Sequence, residues 1–171
     1  MRKVIHFVAM SLDGYIAGPK GEVDWLFMDQ DYGMKEFFAS IDTALIGRKT
    51  FEFMLGQGMR SYPGLANYVF SRTLQPSDYP EVELVRDDAA ATVKELRERE
   101  GKNIWLVGGG GLFRSLLAAR QVDELMVAVH PILLGRGIPL LPKKETAVRL
   151  EFVRAEPYDT GLITLHYTVR R

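Results

Sequence analysis

The chain of 171 residues contains no cysteine. That excludes disulfides, thiolate metal sites and a cysteine nucleophile, and leaves the compartment open. There is no excess charge of either sign, since 22 acidic residues balance 22 basic ones. A neutral total lacks the basic footprint of a nucleic-acid surface. No stretch approaches the ~18–20 apolar residues of a membrane span. The N-terminal "MRKVIHFVAMSLDGYIAG" has two basic residues and an apolar run. It has no long unbroken apolar core and no A-x-A-type cleavage site, so it does not read as a signal peptide. Repeats, low-complexity segments and linker-like shifts are also missing. These absences predict a cytoplasmic protein without nucleic-acid or membrane partners.

What is present reads as one domain over residues 1–171, long enough for a substantial core. Apolar residues make up 47% and charged residues 26%, as in ordinary soluble domains. Strand-like runs alternate with helical ones. "KVIHFVAMS" (3–11) is β-branched and apolar, and a glycine-bearing loop follows it over 12–25. "DYGMKEFFASI" (31–41) has helical spacing, "TALIG" (43–47) is a short strand, and "RKTFEFML" (48–55) a short helix. "YVFS" (68–71) and "VELV" (82–85) are strands, and "DAAATVKELREREG" (88–101) is a helix with Asp88 as N-cap and Gly101 as its stop. "NIWLVGG" (103–109), helix "LFRSLLAARQ" (112–121) and strand "DELMVAVHPIL" (123–133) follow. Residues 150–170 read as two strands joined by a turn with Pro and Gly. The fold class is therefore α/β. It has three layers, with a mainly parallel central sheet flanked by helices and a C-terminal antiparallel hairpin at one edge.

In such sheets ligands bind at the carboxyl ends of strands. Gly47-Arg48-Lys49-Thr50 runs from a strand into a helix start, where free amides, two cations and a hydroxyl suit a phosphate. A Walker A loop needs glycine at position 42, which is Asp, so a P-loop is excluded. Ser71 and Arg72 follow the next strand. An isolated arginine is ordinarily solvated, but beside Arg48 it completes a bidentate clamp for a phosphate monoester. Gly108 to Gly111 cannot form G-x-G-x-x-G, because the last position falls on Phe113 or Arg114. The run serves either a tight turn or the close approach of a ligand such as a pyrophosphate.

The segments "VAMSLDGYIAG" (8–18), "ALIGRKTFEFM" (44–54), "YVFSRT" (68–73), "IWLVGGGGLF" (104–113) and "VDELMVAVHPILLGRGIPLL" (122–141) together resemble the dihydrofolate reductase-like fold. Within it, they are similar to the reductase domain of bacterial riboflavin biosynthesis proteins. The resemblance implies an NADPH-dependent reductase of a small pterin-like or ribosylaminopyrimidine-like heterocycle. It implies that Arg48, Ser71 and Arg72 meet the 2′-phosphate and that Lys49 and Thr50, with Gly47, meet the adenosine-side phosphates. Gly109, Gly110, Gly111, Leu112 and Phe113 then form the pyrophosphate loop, with a cis peptide between two of the glycines. Ala9 and Ile16 become the nicotinamide walls.

On the substrate side the resemblance points to Trp25, Asp29 and Asp31, with Asp31 as the acid or anchor. Asp31 reads equally as the cap of the helix beginning near Tyr32, and Trp25 as core. The chain departs from the riboflavin-type pattern at Phe7, where a lysine is usual, and at Val107-Gly108, where a glutamate is usual. It departs from dihydrofolate reductases at Ala128, which stands where they place a threonine. The alternative is a protein that binds NADPH or another nucleotide without turnover. His6, His130 and His166 lie in strands and read as core or edge residues, and no cluster has metal-site spacing. The family often dimerises, and "HPILLGRGIPLL" is apolar enough to reach a partner or to cover its own sheet.

Overall fold

The computed structural model describes residues 1–142 and 147–170. Ten strands and four helices occur among them: β1 (Val4–Ser11), β2 (Tyr15–Ala17), α1 (Met34–Ser40), β3 (Ile41–Gly47), α2 (Arg48–Gly56), β4 (Ala66–Phe70), β5 (Glu83–Val85), α3 (Ala89–Glu98), β6 (Asn103–Gly108), α4 (Gly110–Ala118), β7 (Glu124–His130), β8 (Ile138–Pro139), β9 (Leu150–Pro157) and β10 (Ile163–Val169).

Eight strands form one sheet in the order β5-β4-β3-β6-β1-β7-β10-β9. From β5 to β7 all pairings are parallel. Strand β10 runs antiparallel to β7, and β9 closes that edge as its hairpin partner. Alternation along each strand sends residues to two cores. Ile5, Phe7, Ile46, Trp105 and Met126 pack against Phe37 of α1 and Phe51 and Met54 of α2. Val4, Leu45, Ile104, Leu106 and Val127 pack against Val93 and Leu96 of α3 and Phe113 and Leu116 of α4. The expected three layers are present, with a mainly parallel sheet.

Several boundaries differ from the sequence reading: α3 ends at Glu98 with Arg99 as its C-cap, before Gly101, and three others differ for a local reason. Helix α1 starts at Met34 because Tyr32 and Gly33 both adopt positive φ, 50° and 79°, which ends the preceding turn. Ile41 has helical spacing but opens β3, where it pairs with Asn103. Helix α4 starts at Gly110, inside the glycine run, because Phe113, Leu116 and Leu117 carry its buried face. The loop expected over 12–25 contains strand β2, which forms a separate antiparallel pair with β8. That pairing draws the 131–140 segment over the β1–β2 turn.

Candidate active site

Strand order makes the site. Because β4, β3, β6 and β1 are neighbours and parallel, their carboxyl ends form one rim. Gly47 pairs with Phe70, and Ile46 with Gly108. Ser71, Gly47 and the glycine run are thus adjacent in space, one strand spacing of about 4.8 Å apart.

Two helices begin on this rim. Gly47 is the N-cap of α2, so Arg48, Lys49 and Thr50 form its first turn. Gly109 is the N-cap of α4, so Gly110, Gly111 and Leu112 supply its first amides, and the Phe113 amide donates back to the Gly109 carbonyl at 3.0 Å. Neither cap residue has a side chain to satisfy those amides, and a helix N-terminus is a favourable place for an anion. Arg48 donates to Glu52 at 2.9 and 3.1 Å on the exposed face of α2. Ser71 is buried, and its hydroxyl accepts from the amides of Thr73 and Leu74 at 3.2 and 3.1 Å. It shapes the turn that carries the exposed Arg72.

The four glycines have distinct reasons. Gly108 has φ 130°, and the Gly108–Gly109 peptide is cis. A Cβ on Gly109 would lie 3.1 Å from the Thr50 hydroxyl, and one on Gly110 2.9 Å from Pro142 Cδ. Only at Gly111 does a Cβ meet open space. Most of the close approach is therefore made by the chain itself. Beneath the run lies His6, buried and packed against Phe113 with ring centroids 4.2 Å apart and planes tilted by 32°. Burial lowers its pKa to about 4, only partly offset by the bond of Nδ1 to the Leu106 carbonyl.

Ala9 lies on the α1 face of β1, and Ile16 on β2, which packs against β1. The cover over this end is latched. Asp13 accepts the amides of Leu134 and Gly135 at 3.1 and 2.7 Å and the Ser11 hydroxyl at 2.6 Å. These bonds, the Ser11 hydroxyl first, hold its carboxyl below the usual range. The backbone of "HPILLGRGIPLL" is thereby tied to the β1–β2 turn, while its Leu133 and Ile138 side chains stay exposed.

Of the residues expected to meet the substrate, Trp25 packs edge-on to His130 with centroids 5.2 Å apart. His130, expected as a core or edge residue, holds the loop bearing Trp25. Its Nδ1–H donates to the Ala128 carbonyl at 3.0 Å, and its Nε2 accepts the Phe27 amide at 3.2 Å. Burial pushes its pKa down, so it stays neutral near pH 7. Asp29 accepts the Tyr32 hydroxyl at 2.6 Å. Asp31 is not the N-cap expected of it, because Gly33 holds that position; it accepts the Lys35 amide at 3.1 Å from two residues earlier and also borders a groove of about 450 Å³. The groove lies between α1 and the sheet face of β1, β7, β10 and β9. Thr164, His166 and Tyr158 line it as well. Strand alternation places Thr164 and His166 on one face but does not say which face is open.

The sequence of residues 2–164 matches the model of the RibD C-terminal domain. The chain belongs to the RibD C-terminal domain family. Relatives agree in extent. The protein YyaP of Bacillus subtilis (strain 168) is 34% identical over 179 residues, covering 97% of this chain and 94% of YyaP. The crystal structure of a putative riboflavin biosynthesis protein from Shewanella sp. PV-4 superposes with a TM-score of 0.85 at 28% identity, over 100% of both chains. A dihydrofolate reductase from Enterococcus faecalis, complexed with NADP(H) and RAB-propyl, has a TM-score of 0.74 at 21% identity, covering 99% of this chain and 97% of its own. The RibD-type domain thus shares the dihydrofolate reductase-like fold, and reductases are among its family and structural neighbours. Among the described residues no group of three or more His, Asp or Glu is placed to hold a metal, and no helix is long and apolar enough to cross a membrane.

Proposed function

We propose that the protein is an NADPH-dependent reductase of a small nitrogen heterocycle of the pterin or ribosylaminopyrimidine kind. The observation that carries this reading is the shared rim. Two helix N-termini without side-chain caps and the exposed Arg72 converge there, one strand apart. This donor set suits a pyrophosphate with an additional phosphate monoester. Gly110, Gly111, Lys49 and Thr50 would hold the pyrophosphate side. Arg48 and Arg72 would hold the 2′-phosphate once Arg48 exchanges Glu52 for it. Ala9 and Ile16 would flank the nicotinamide. When bound, the cofactor supplies a hydride; the chain's own task is to align the acceptor and exclude water. The Asp13 latch and the His130-anchored loop serve the second task.

A homodimer fits the same reading. Along β10, Ile163, Leu165 and Tyr167 face away from the groove; Ile163 is 40% exposed, and Phe152 of β9, which pairs with Tyr167, is 61% exposed. A stable interface needs such an apolar centre.

Titration of the protein with NADPH and NADH, followed by a screen of dihydropterin and ribosylaminopyrimidine acceptors, tests the reading. NADPH binding with acceptor-dependent oxidation supports it. Binding without oxidation by any acceptor would leave the non-catalytic alternative, and absence of NADPH binding would end the reductase reading.

A further inference from the structure

Residues 23–29, which carry Trp25 and Asp29, belong to no helix or strand. Their hydrogen bonds are mostly local. The Leu26 amide donates to the Val23 carbonyl and the Trp25 indole to the Glu22 carbonyl, both at 3.2 Å, and Asp29 accepts the Tyr32 hydroxyl. Among the described residues one hydrogen bond ties this loop to the sheet, that from the Phe27 amide to His130 Nε2. The His130 ring also touches both aromatic side chains of the loop, with centroids 5.2 Å from Trp25 and 5.1 Å from Phe27. The attachment of the loop to the sheet thus passes through one imidazole.

That imidazole is held in place from behind. His130 ends β7 and pairs with Ser11 of β1. Its carbonyl accepts the Ile132 amide at 2.8 Å, and the Ile132 carbonyl accepts the Leu12 amide at 2.9 Å. The residue is 3% exposed. Its bonds admit one neutral tautomer. The Ala128 carbonyl can only accept, so Nδ1 carries the proton and Nε2 offers the lone pair that the Phe27 amide meets. A second proton has to go to Nε2. It would set one N–H against another at 3.2 Å, and the bond to Phe27 would become a repulsion.

No neighbouring charge offsets that repulsion. Beyond Ser11, Asp13 is engaged by the Ser11 hydroxyl and the Leu134 and Gly135 amides. On the loop side, Glu22 accepts the Lys20 amide, Asp29 accepts Tyr32, and Asp24 is exposed. Arg136 of the 131–137 segment is exposed, as is Asp159 of the β9–β10 turn, where Tyr158 is half-buried. Among the described residues no ion pair includes His130.

We propose that His130 is a positioning residue for the Trp25–Asp29 loop and that it holds the loop only while its ring is uncharged. Burial disfavours the charged ring and keeps its pKa below the ordinary 6.5. The attachment is therefore complete above pH 6.5 and is lost as pH falls through the lowered folded pKa. Release frees Trp25 and Phe27 from the sheet while the Asp13 latch, whose carboxyl stays ionised further into acid, remains closed. The two covers of this end of the sheet thus respond differently to acid.

Hydrogen–deuterium exchange of the full chain, resolved by amide and corrected for the intrinsic pH dependence, tests this directly. Between about pH 7.5 and about pH 5 the protection of the Phe27 amide should fall about tenfold or more. The Leu134 and Gly135 amides, held by Asp13, should keep theirs. In His130→Gln the side-chain carbonyl reaches the place of Nε2 and accepts without titrating, so Phe27 protection should not change with pH. Equal protection of Phe27 at both pH values in the wild type overturns the proposal, and so does an undiminished fall in His130→Gln. If that variant does not fold, the wild-type contrast decides alone, and a parallel fall of Phe27 and Gly135 overturns the proposal. The kinetic consequence rests on the reductase reading. Under it, KM for the acceptor should rise severalfold in acid for the wild type but not for His130→Gln, with NADPH affinity unchanged in both. If no acceptor oxidises NADPH, the reductase reading falls and the exchange measurement still decides the role of His130.

Discussion

Gly47 packs backbone to backbone against Gly109: a Cβ on Gly47 would lie 2.9 Å from the Gly109 nitrogen and 3.1 Å from the Gly108 oxygen. The backbone of Gly47 is ordinary and extended, with φ −72° and ψ 154°, so only proximity demands glycine there. The two helix starts on the rim are held together by this contact.

Gly47→Ala should therefore push the starts of α2 and α4 apart. A contact this tight against backbone relaxes only by moving the chain, at a cost of about 1–3 kcal/mol. Chemical denaturation should show that loss, and the affinity for NADPH should fall more than tenfold. An unchanged affinity would mean that the rim is not the phosphate site.

Arg48→Ala and Arg72→Ala should weaken NADPH far more than NADH. Arg48 gives up only an exposed pair with Glu52, worth about 0–1 kcal/mol, so stability should hardly change. Equal losses for both cofactors would refute the 2′-phosphate assignment.

Asp31→Asn separates the two duties of Asp31. Asparagine keeps a side-chain oxygen to accept the Lys35 amide, so α1 should persist. If the carboxylate anchors the acceptor, KM for the acceptor rises about tenfold or more while NADPH affinity is unchanged. Steady-state kinetics with wild-type constants would remove Asp31 from the acceptor site.

His6 gives the fold a pH dependence with a definite sign. Its folded pKa of about 4 lies below the ordinary 6.5, so below pH 6.5 the unfolded chain takes up a proton that the native state refuses. Stability from the neutral ring is complete above pH 6.5 and is lost as pH falls toward about 4. The full loss is roughly 3 kcal/mol. His6→Gln should flatten the denaturation midpoint between pH 6.5 and 4.5 relative to the wild type, and parallel curves would exclude His6 as the cause.

Phe152→Asp, on the outward face of β9, should convert a dimer to a monomer in analytical ultracentrifugation without lowering the melting temperature of the monomer. A wild-type monomer at micromolar concentration would rule out the proposed interface.

Strands β1, β3, β6 and β7, the hairpin at the C-terminal edge and the positions just after each parallel strand were legible from the chain alone. Apolar runs and their period are local properties, and so are the residues that follow them, Gly47-Arg48, Ser71-Arg72 and Gly108 to Gly111. The glycine run could be read as a place of close approach, but not for what approaches. Gly47, Thr50 and Pro142 reach it across the sheet and through the 131–142 segment, which no local pattern encodes. The same holds for His130 under the Phe27 loop and for Asp13 under Leu134 and Gly135, because these bonds join residues distant in sequence. Alternation along β10 put Thr164 and His166 on one face. Only strand order, β1-β7-β10-β9, put that face beside Ala9 and lined it with Glu156 and Arg154. Periodicity assigns a side chain to a face of its own element; what that face meets is decided by pairing between strands far apart in the chain.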